Sequence, residues 1–212
     1  MINCACLWGE LENHPFLPKG AAAEFTRFEK DANMKGQENN WHADVTWRLE
    51  PSMGAVLRLS EVPPQGGDTL WADMGAAYDN LPDEMKERID GLKAIHGFTP
   101  TFAALAAGTE AGGIPCSRTS GCSHAYGDGR KTLFVNRVIT IRIVALDEKE
   151  GEEMLQYLFR QAEIPEYQVR FHWEKNSIAL WANRSTQHYA SSGYYPNRRI
   201  AERISIIGDR PY

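Results

Sequence analysis

Three side chains of the types that bind transition metals stand out, although the third lies far along the chain from the first two. His42 and Asp44 are two residues apart in the stretch 41–48, whose Val, Thr and Trp residues favour an extended backbone. Residues i and i+2 of a strand point to the same face, so the imidazole and the carboxylate are predicted to converge. His188 is the candidate third ligand. Two histidines and one carboxylate form the facial triad of non-haem Fe(II) oxygenases.

The same residues allow other interpretations. A histidine and an aspartate two residues apart occur often by chance, and a histidine on a strand is commonly a satisfied core residue. Two histidines and an aspartate also suit the zinc site of a hydrolase. A separate set, Cys116, Cys122 and His124, lacks the spacing of a standard zinc site, and free thiols in a loop are the favoured interpretation there.

The last strand-like segment, 199–207, carries two arginines on one side. Arg199 and Arg203 alternate with apolar residues, so they share a face while the isoleucines point the other way. Burying two guanidinium groups together is costly without anions, and a bound dicarboxylate would supply them. A solvent-facing basic edge, or salt bridges to Asp and Glu, would also account for the pattern.

Composition and charge restrict the class of protein. The 212 residues are 42% hydrophobic and 24% charged, which suits one soluble domain with a sizeable core. The net charge of −5 argues against nucleic acid or an anionic membrane surface as partner. No apolar run approaches the roughly 20 residues that span a bilayer, and the first residues lack an export signal. With only four cysteines, a reduced cytoplasmic protein is expected.

Strands are the main elements predicted to position these residues. Strand patterns occur near 24–28 and over 55–60, 132–136, 167–173, 177–181 and 199–207. One helix is predicted over 81–95 with Asn80 as its N-cap, and a second from an Asp147 cap to about residue 162. The segment 99–131 has no clear period. Strand–turn alternation with two good helices favours a sandwich or barrel over a βαβ fold.

Longer motifs surround the candidate ligands and follow one another along the chain. They are Trp41-His-Ala-Asp-Val-Thr-Trp47, Gly66-Gly-Asp-Thr-Leu-Trp71, Leu133-Phe-Val-Asn136, Thr140-Ile-Arg-Ile143, Trp181-Ala-Asn-Arg-Ser-Thr-Gln-His-Tyr-Ala190 and the segment 198–211. Together they resemble the taurine dioxygenase/2,4-D dioxygenase (TauD/TfdA) group of Fe(II)- and 2-oxoglutarate-dependent oxygenases. The resemblance covers most of 38–98 and 132–212.

The resemblance implies a mainly β fold, a double-stranded β-helix (jelly roll) with a few flanking helices. It implies a single domain over 1–212, in which 99–131 is a variable, lid-like insertion. Relatives carry several tens of residues before the position of Trp8, so the chain is expected to be a natural short form, a fragment or the product of a mis-called start, and to lack N-terminal strands. Missing strands would expose sheet edges, which favours a homo-oligomer.

Residue roles follow from the same resemblance. The expected metal ligands are His42, Asp44 and His188. The residues expected to hold the distal carboxylate of 2-oxoglutarate are Thr69 and Arg199. Arg203 is expected on the substrate side, and His14 sits where sulfonate-using relatives have a substrate-contacting histidine. A structural histidine is the alternative for His14.

The implied cofactor is Fe(II), with 2-oxoglutarate and O₂ as cosubstrates and with succinate and CO₂ as products. The expected substrate is a small anionic organic molecule, and a sulfonate or sulfate ester is favoured. A carboxylated substrate such as an aryloxyalkanoate is the alternative within the same chemistry. From a different class, the chain could be a catalytically impaired jelly roll that only binds a ligand or partner subunit.

Overall fold

The computed structural model describes residues 1–13, 22, 24–36, 39–97, 117–120, 122–124 and 129–210, with only the backbone described at 117–120 and 122–124. The helices in this part of the chain are α1 (Ile2–Ala5), α2 (Met74–Asp79), α3 (Asp83–Ile89) and α4 (Glu148–Arg160), with 3₁₀ turns at Gln161–Glu163 and Pro165–Tyr167. The strands are β1 (Thr26–Lys30), β2 (Gly54–Glu61), β3 (Thr69–Asp73), β4 (Lys93–His96), β5 (Ser117–Ser120), β6 (Cys122–His124), β7 (Lys131–Leu133), β8 (Thr140–Ile143), β9 (Gln168–Phe171), β10 (Ile178–Ala182), β11 (Thr186–Ala190) and β12 (Arg199–Ile206).

Two antiparallel sheets carry four of the candidate site residues, which are Thr69, His188, Arg199 and Arg203. The larger has the strand order β1-β12-β2-β10, and the smaller has the order β11-β3-β9. Two further small sheets, β5-β4-β8 and β6-β7, complete the described strands. The prediction of a mainly β protein is therefore confirmed, and the predicted strands near 24–28 and over 55–60, 132–136, 167–173, 177–181 and 199–207 all overlap observed strands.

The inner faces of the two main sheets meet in an aromatic cluster. Trp71 of the smaller sheet packs against Trp181 of the larger one, with ring centroids 5.5 Å apart, and against Trp173 at 6.4 Å. Small and aliphatic residues of the larger sheet, among them Leu57 and Ala201, fill the remaining space. Because indole rings bury large apolar areas, this cluster fixes how the two sheets are placed relative to each other.

Helix α4 covers a second core, and its prediction is confirmed. The Asp147 side chain caps the helix by accepting a hydrogen bond of 2.9 Å from the Glu150 amide. Its buried residues recur at helical spacing and pack against α2 and β8; they are Met154, Leu155, Leu158 and Phe159. Burial of one helical face in this way is the main source of stability for a surface helix.

The helix predicted over 81–95 is wrong in its second half. Helix α3 ends at Ile89, and Gly91 follows in the left-handed region with φ of +71°. Residues 93–96 then form β4 between β5 and β8, so Ala94 and His96 are buried with the period of a strand. Asn80 is not the N-cap of α3, because Pro82 takes that position and Asn80 instead ends α2.

Both faces of β12 are covered. Ala201 faces the aromatic cluster between the sheets, whereas Ile204 and Ile206 lie on the opposite face under α1, where they pack with Ala5. The predicted alternation along this strand is therefore confirmed. The alternative of a solvent-facing basic edge is wrong, because Arg199 and Arg203 are only 8% and 7% exposed.

Several predictions fall on residues that the structure does not describe. Most of the segment 99–131 lies outside the described residues, as do His14 and the side chains of Cys116, Cys122 and His124. Among the described residues, no helix is both long and apolar enough to cross a membrane.

Candidate metal centre

His42 and His188 are brought together by their own backbones. Each donates its amide hydrogen to the carbonyl of the other, at 3.0 Å from His42 and 2.7 Å from His188, and forms an isolated antiparallel bridge. The imidazole centroids are 4.1 Å apart. On its other side, β11 pairs with β3 so that His188 lies opposite Trp71. Two residues distant in sequence thus present their side chains at one place.

Asp44 reaches the same place from a turn, so the predicted strand through His42 and Asp44 is wrong. Residues 44–47 lie in a turn, within which the Arg48 amide donates to the Val45 carbonyl at 2.9 Å. The Asp44 carboxylate lies 3.9 Å from the Nε2 atom of His188. One donor atom from each of His42, Asp44 and His188 lies within 4.8 Å of the others, and among the described residues this is the one such group of three. The predicted triad converges, although not by the alternation of a strand.

The protonation states suit a metal. The Nδ1 atom of His42 lies 2.9 Å from the Asn40 carbonyl, which can only accept, so Nδ1 is the donor in this contact and Nε2 is the ring nitrogen left to face a metal. Burial lowers the pKa of His188 to about 3, so this imidazole is neutral at pH 7. Burial alone would raise the pKa of Asp44, but Arg203, through its charge and its hydrogen bond, and the two histidines together outweigh burial and hold the pKa below its ordinary value. Two imidazoles and one carboxylate match the ligands of a divalent transition metal.

Arg203 pairs with the Asp44 carboxylate. Its Nη1 atom lies 2.7 Å from Oδ2 of Asp44, and the guanidinium stacks 5.1 Å from the centre of the Phe28 ring. The salt bridge offered as an alternative from the sequence is therefore present for this residue. The contact also places a buried cation directly beside the triad, on the inner face of β12.

Arg199 and Thr69 lie on the two strands that flank the metal centre. The Nε atom of Arg199 donates to the Gly67 carbonyl at 3.3 Å, and the guanidinium stacks 5.8 Å from the centre of the Tyr194 ring. Gly67 has φ of +75°, and a Cβ atom there would lie 3.2 Å from the Arg199 side chain, so this close approach requires glycine. Thr69 pairs with Ala190, two residues beyond His188.

The hydroxyl oxygen of Thr69 already accepts one hydrogen bond. The indole N–H of Trp173, which is 2% exposed, donates to Thr69 Oγ1 at 2.9 Å. Because one lone pair is used in this way, the hydroxyl hydrogen can point to a further acceptor, such as a carboxylate. Sequence analysis gave Trp173 no role, and nothing in its sequence context distinguishes it from a core tryptophan.

Comparison with known proteins decides the family. The sequence profile of the taurine catabolism dioxygenase TauD, TfdA family matches residues 2–205. The chain belongs to the TauD/TfdA family. The chain is 30% identical over 220 residues to another protein, an alpha-ketoglutarate-dependent sulfate ester dioxygenase of Pseudomonas putida, with 98% of this chain and 72% of the relative covered.

Two other relatives point to different substrates. An alpha-ketoglutarate-dependent 2,4-dichlorophenoxyacetate dioxygenase of a Burkholderia species is 30% identical over 200 residues, with 90% of this chain and 65% of the relative covered. The crystal structure of a taurine dioxygenase from Burkholderia xenovorans superposes with a TM-score of 0.84 at 29% identity, with 99% of this chain and 72% of that chain covered. The predicted family and its 2-oxoglutarate-dependent dioxygenase chemistry are confirmed, as are Fe(II), 2-oxoglutarate and O₂ as the family's requirements.

Proposed function

We propose that the chain is an Fe(II)- and 2-oxoglutarate-dependent dioxygenase that hydroxylates a small anionic organic substrate, with a sulfonate or sulfate ester favoured. The observation that carries the proposal is the convergence of His42, Asp44 and His188, with the buried cation Arg203 beside them. We also propose that the two main sheets form the jelly roll of the family, with the metal centre between them.

His42, Asp44 and His188 would hold Fe(II), and three ligands leave further coordination positions free. The chemistry that Fe(II) supplies when bound is activation of O₂, coupled to conversion of 2-oxoglutarate to succinate and CO₂. Thr69 and Arg199 are proposed to hold the distal carboxylate of 2-oxoglutarate, Thr69 as a hydroxyl donor and Arg199 as a cation. The neutral imidazole of His188 binds without first releasing a proton, which favours metal binding at neutral pH.

The anionic group of the substrate is assigned to Arg203. Its Nη1 atom is paired with Asp44, but its buried Nε atom has no hydrogen-bond partner among the described residues, so a sulfonate, sulfate or carboxylate oxygen can still accept from this guanidinium. Hydroxylation at the carbon that bears a sulfate or sulfonate group gives an unstable product, in which the C–O or C–S bond then breaks. The aryloxyalkanoate alternative uses the same cation for a carboxylate, and the 2,4-dichlorophenoxyacetate relative supports it.

A substrate panel tests the proposal. Succinate release by the Fe(II)-loaded protein is measured with alkyl sulfates, alkylsulfonates and aryloxyacetates, each against a reaction without substrate. We expect stimulated succinate release with a sulfate or sulfonate, and a matched yield of the cleaved product. Stimulation by aryloxyacetates alone would replace the substrate class. If no anion stimulates turnover although Fe(II) and 2-oxoglutarate both bind, the catalytically impaired binding protein becomes the better account.

A further inference from the structure

Asn183 holds the backbone of the metal-ligand residue Asp44 from both sides. Its Oδ1 atom accepts the Asp44 amide hydrogen at 2.8 Å, and its Nδ2 atom donates to the Asp44 carbonyl at 2.9 Å. The second hydrogen on Nδ2 goes to the Ser52 carbonyl at 3.0 Å. The orientation of the amide is fixed by its partners, because only oxygen can accept from an amide and only nitrogen can donate to the two carbonyls.

This contact replaces the sheet pairing that Asp44 lacks. Outside a strand, the amide and carbonyl of a buried residue need other partners, and Asn183 supplies both with one side chain. Asn183 is itself 1% exposed. Its backbone amide donates to the Met53 carbonyl at 2.8 Å, which ties Asn183 to the start of β2. The position of Asp44 therefore depends on a side chain from the segment that joins β10 to β11.

The turn that carries Asp44 needs such support, because it is strained. Val45, the next residue, has φ of +50°, a left-handed conformation that β-branched residues disfavour. Residues in this region persist only where the surrounding structure enforces them. Asn183 enforces the turn at Asp44, and the Asn136 side chain does so at Thr46, to which it donates at 3.1 Å. Without Asn183, the Asp44 amide and carbonyl would lose these partners and the strained turn would lose part of its support.

We propose that Asn183 is a positioning residue that fixes the Asp44 carboxylate for metal binding and so couples it to His188 on the adjoining strand. The proposal rests on the metal centre described under the proposed function. It adds a specific claim: removing the Asn183 amide weakens the metal site by more than the accompanying loss of stability explains.

The test compares Asn183→Leu, which keeps the side-chain volume, with Asn183→Ser, a smaller change that preserves folding if the leucine variant does not fold. Leu158→Ala is the matched control, because Leu158, on α4, is 1% exposed in a core cluster that contains none of the triad residues. Fe(II) dissociation constants are measured anaerobically by equilibrium dialysis. Urea unfolding is measured on the same samples, and the visible charge-transfer absorbance is recorded after 2-oxoglutarate is added.

We expect Asn183→Leu to bind Fe(II) about 10- to 100-fold more weakly, the usual range for outer contacts of metal ligands, with Asn183→Ser between it and the wild type. Leu158→Ala should lose stability but keep the wild-type Fe(II) dissociation constant. Folded Asn183 variants that bind Fe(II) within twofold of the wild type would overturn the proposal, as would an equal loss of affinity in Leu158→Ala. Failure of the wild-type protein to bind Fe(II) would instead refute the metal centre itself.

Discussion

His96 lies in the protein interior with its imidazole uncharged, and this should make stability depend on pH. The side chain is fully buried on β4, beside the Phe134 ring, with its Nδ1 atom 3.1 Å from the Thr46 hydroxyl. Burial lowers the pKa of His96 to about 3. The unfolded chain has an ordinary histidine pKa of about 6.5. Because the folded pKa is the lower one, the stabilising contribution is complete above about pH 6.5 and is lost as the pH falls from there towards 3.

The magnitude follows from one proton. Between pH 7.5 and 5.5 the unfolded chain takes up nearly one proton at this position and the folded protein takes up none, which lowers the free energy of unfolding by about 1.4 kcal/mol. In His96→Asn the amide keeps a polar atom near Thr46 but cannot be protonated in this range. Between these two pH values, the free energy of unfolding of the wild type should therefore fall by about 1.4 kcal/mol more than that of the variant. His188 changes in the same direction in both proteins and cancels from the comparison.

Urea unfolding of the metal-free proteins at pH 7.5, 6.5 and 5.5 measures this difference. Leu158→Ala is the control, because it is destabilised by about 2–5 kcal/mol without loss of a titratable group. It should follow the pH dependence of the wild type, displaced by a constant amount. If the free energy of unfolding falls equally in the wild type and in His96→Asn as the pH is lowered, the assignment of His96 as a buried neutral imidazole is refuted.

Three further substitutions test the residues around the metal centre. Trp173→Phe removes the donor to Thr69 and should weaken 2-oxoglutarate binding about fivefold, the equivalent of about 1 kcal/mol, with Fe(II) binding unchanged in dialysis. Gly67→Ala places a Cβ atom 3.2 Å from Arg199 at φ of +75°. It should therefore lower the free energy of unfolding in urea by about 1–3 kcal/mol and weaken 2-oxoglutarate binding. An unchanged free energy of unfolding and unchanged 2-oxoglutarate affinity would contradict the close packing. Arg203→Met removes the charge that lowers the carboxylate pKa in the triad, so protons should compete with Fe(II) at higher pH than in the wild type, as titrations from pH 5 to 7 would show.

The strand elements with plain alternation or apolar runs were predictable, but those rich in buried polar residues were not. Strand β11, which carries His188, gives no strand signal because Gln187 and its neighbours are polar. Gln187 is 3% exposed and is satisfied by a 2.8 Å hydrogen bond to the Val135 carbonyl, a contact made in the tertiary structure. The prediction of a helix over 81–95 was wrong beyond Ile89. Helical spacing of the apolar residues does not show that Gly91 adopts a left-handed conformation, after which the helix cannot continue.

The three candidate ligands were chosen from the sequence on an incorrect local geometry, although the structure does bring them together. The choice of His42, Asp44 and His188 depended on residue type and on the surrounding motifs, whereas their convergence depends on a backbone bridge and a strained turn. Neither is visible in sequence, because both need partners distant along the chain. For the same reason the part played by Asn183 could not be predicted, although the motif that contains it was singled out.

The most direct test of the metal centre is an anaerobic titration of the metal-free protein with Fe(II), followed by 2-oxoglutarate, with His188→Ala as the matched variant. We predict one bound Fe(II) per chain in the wild type and a visible charge-transfer absorbance that develops when 2-oxoglutarate is added. Neither signal should appear in His188→Ala at the same concentrations. A wild-type protein that binds no Fe(II), or a variant that gives the same absorbance, would contradict the assignment of this triad as the iron site.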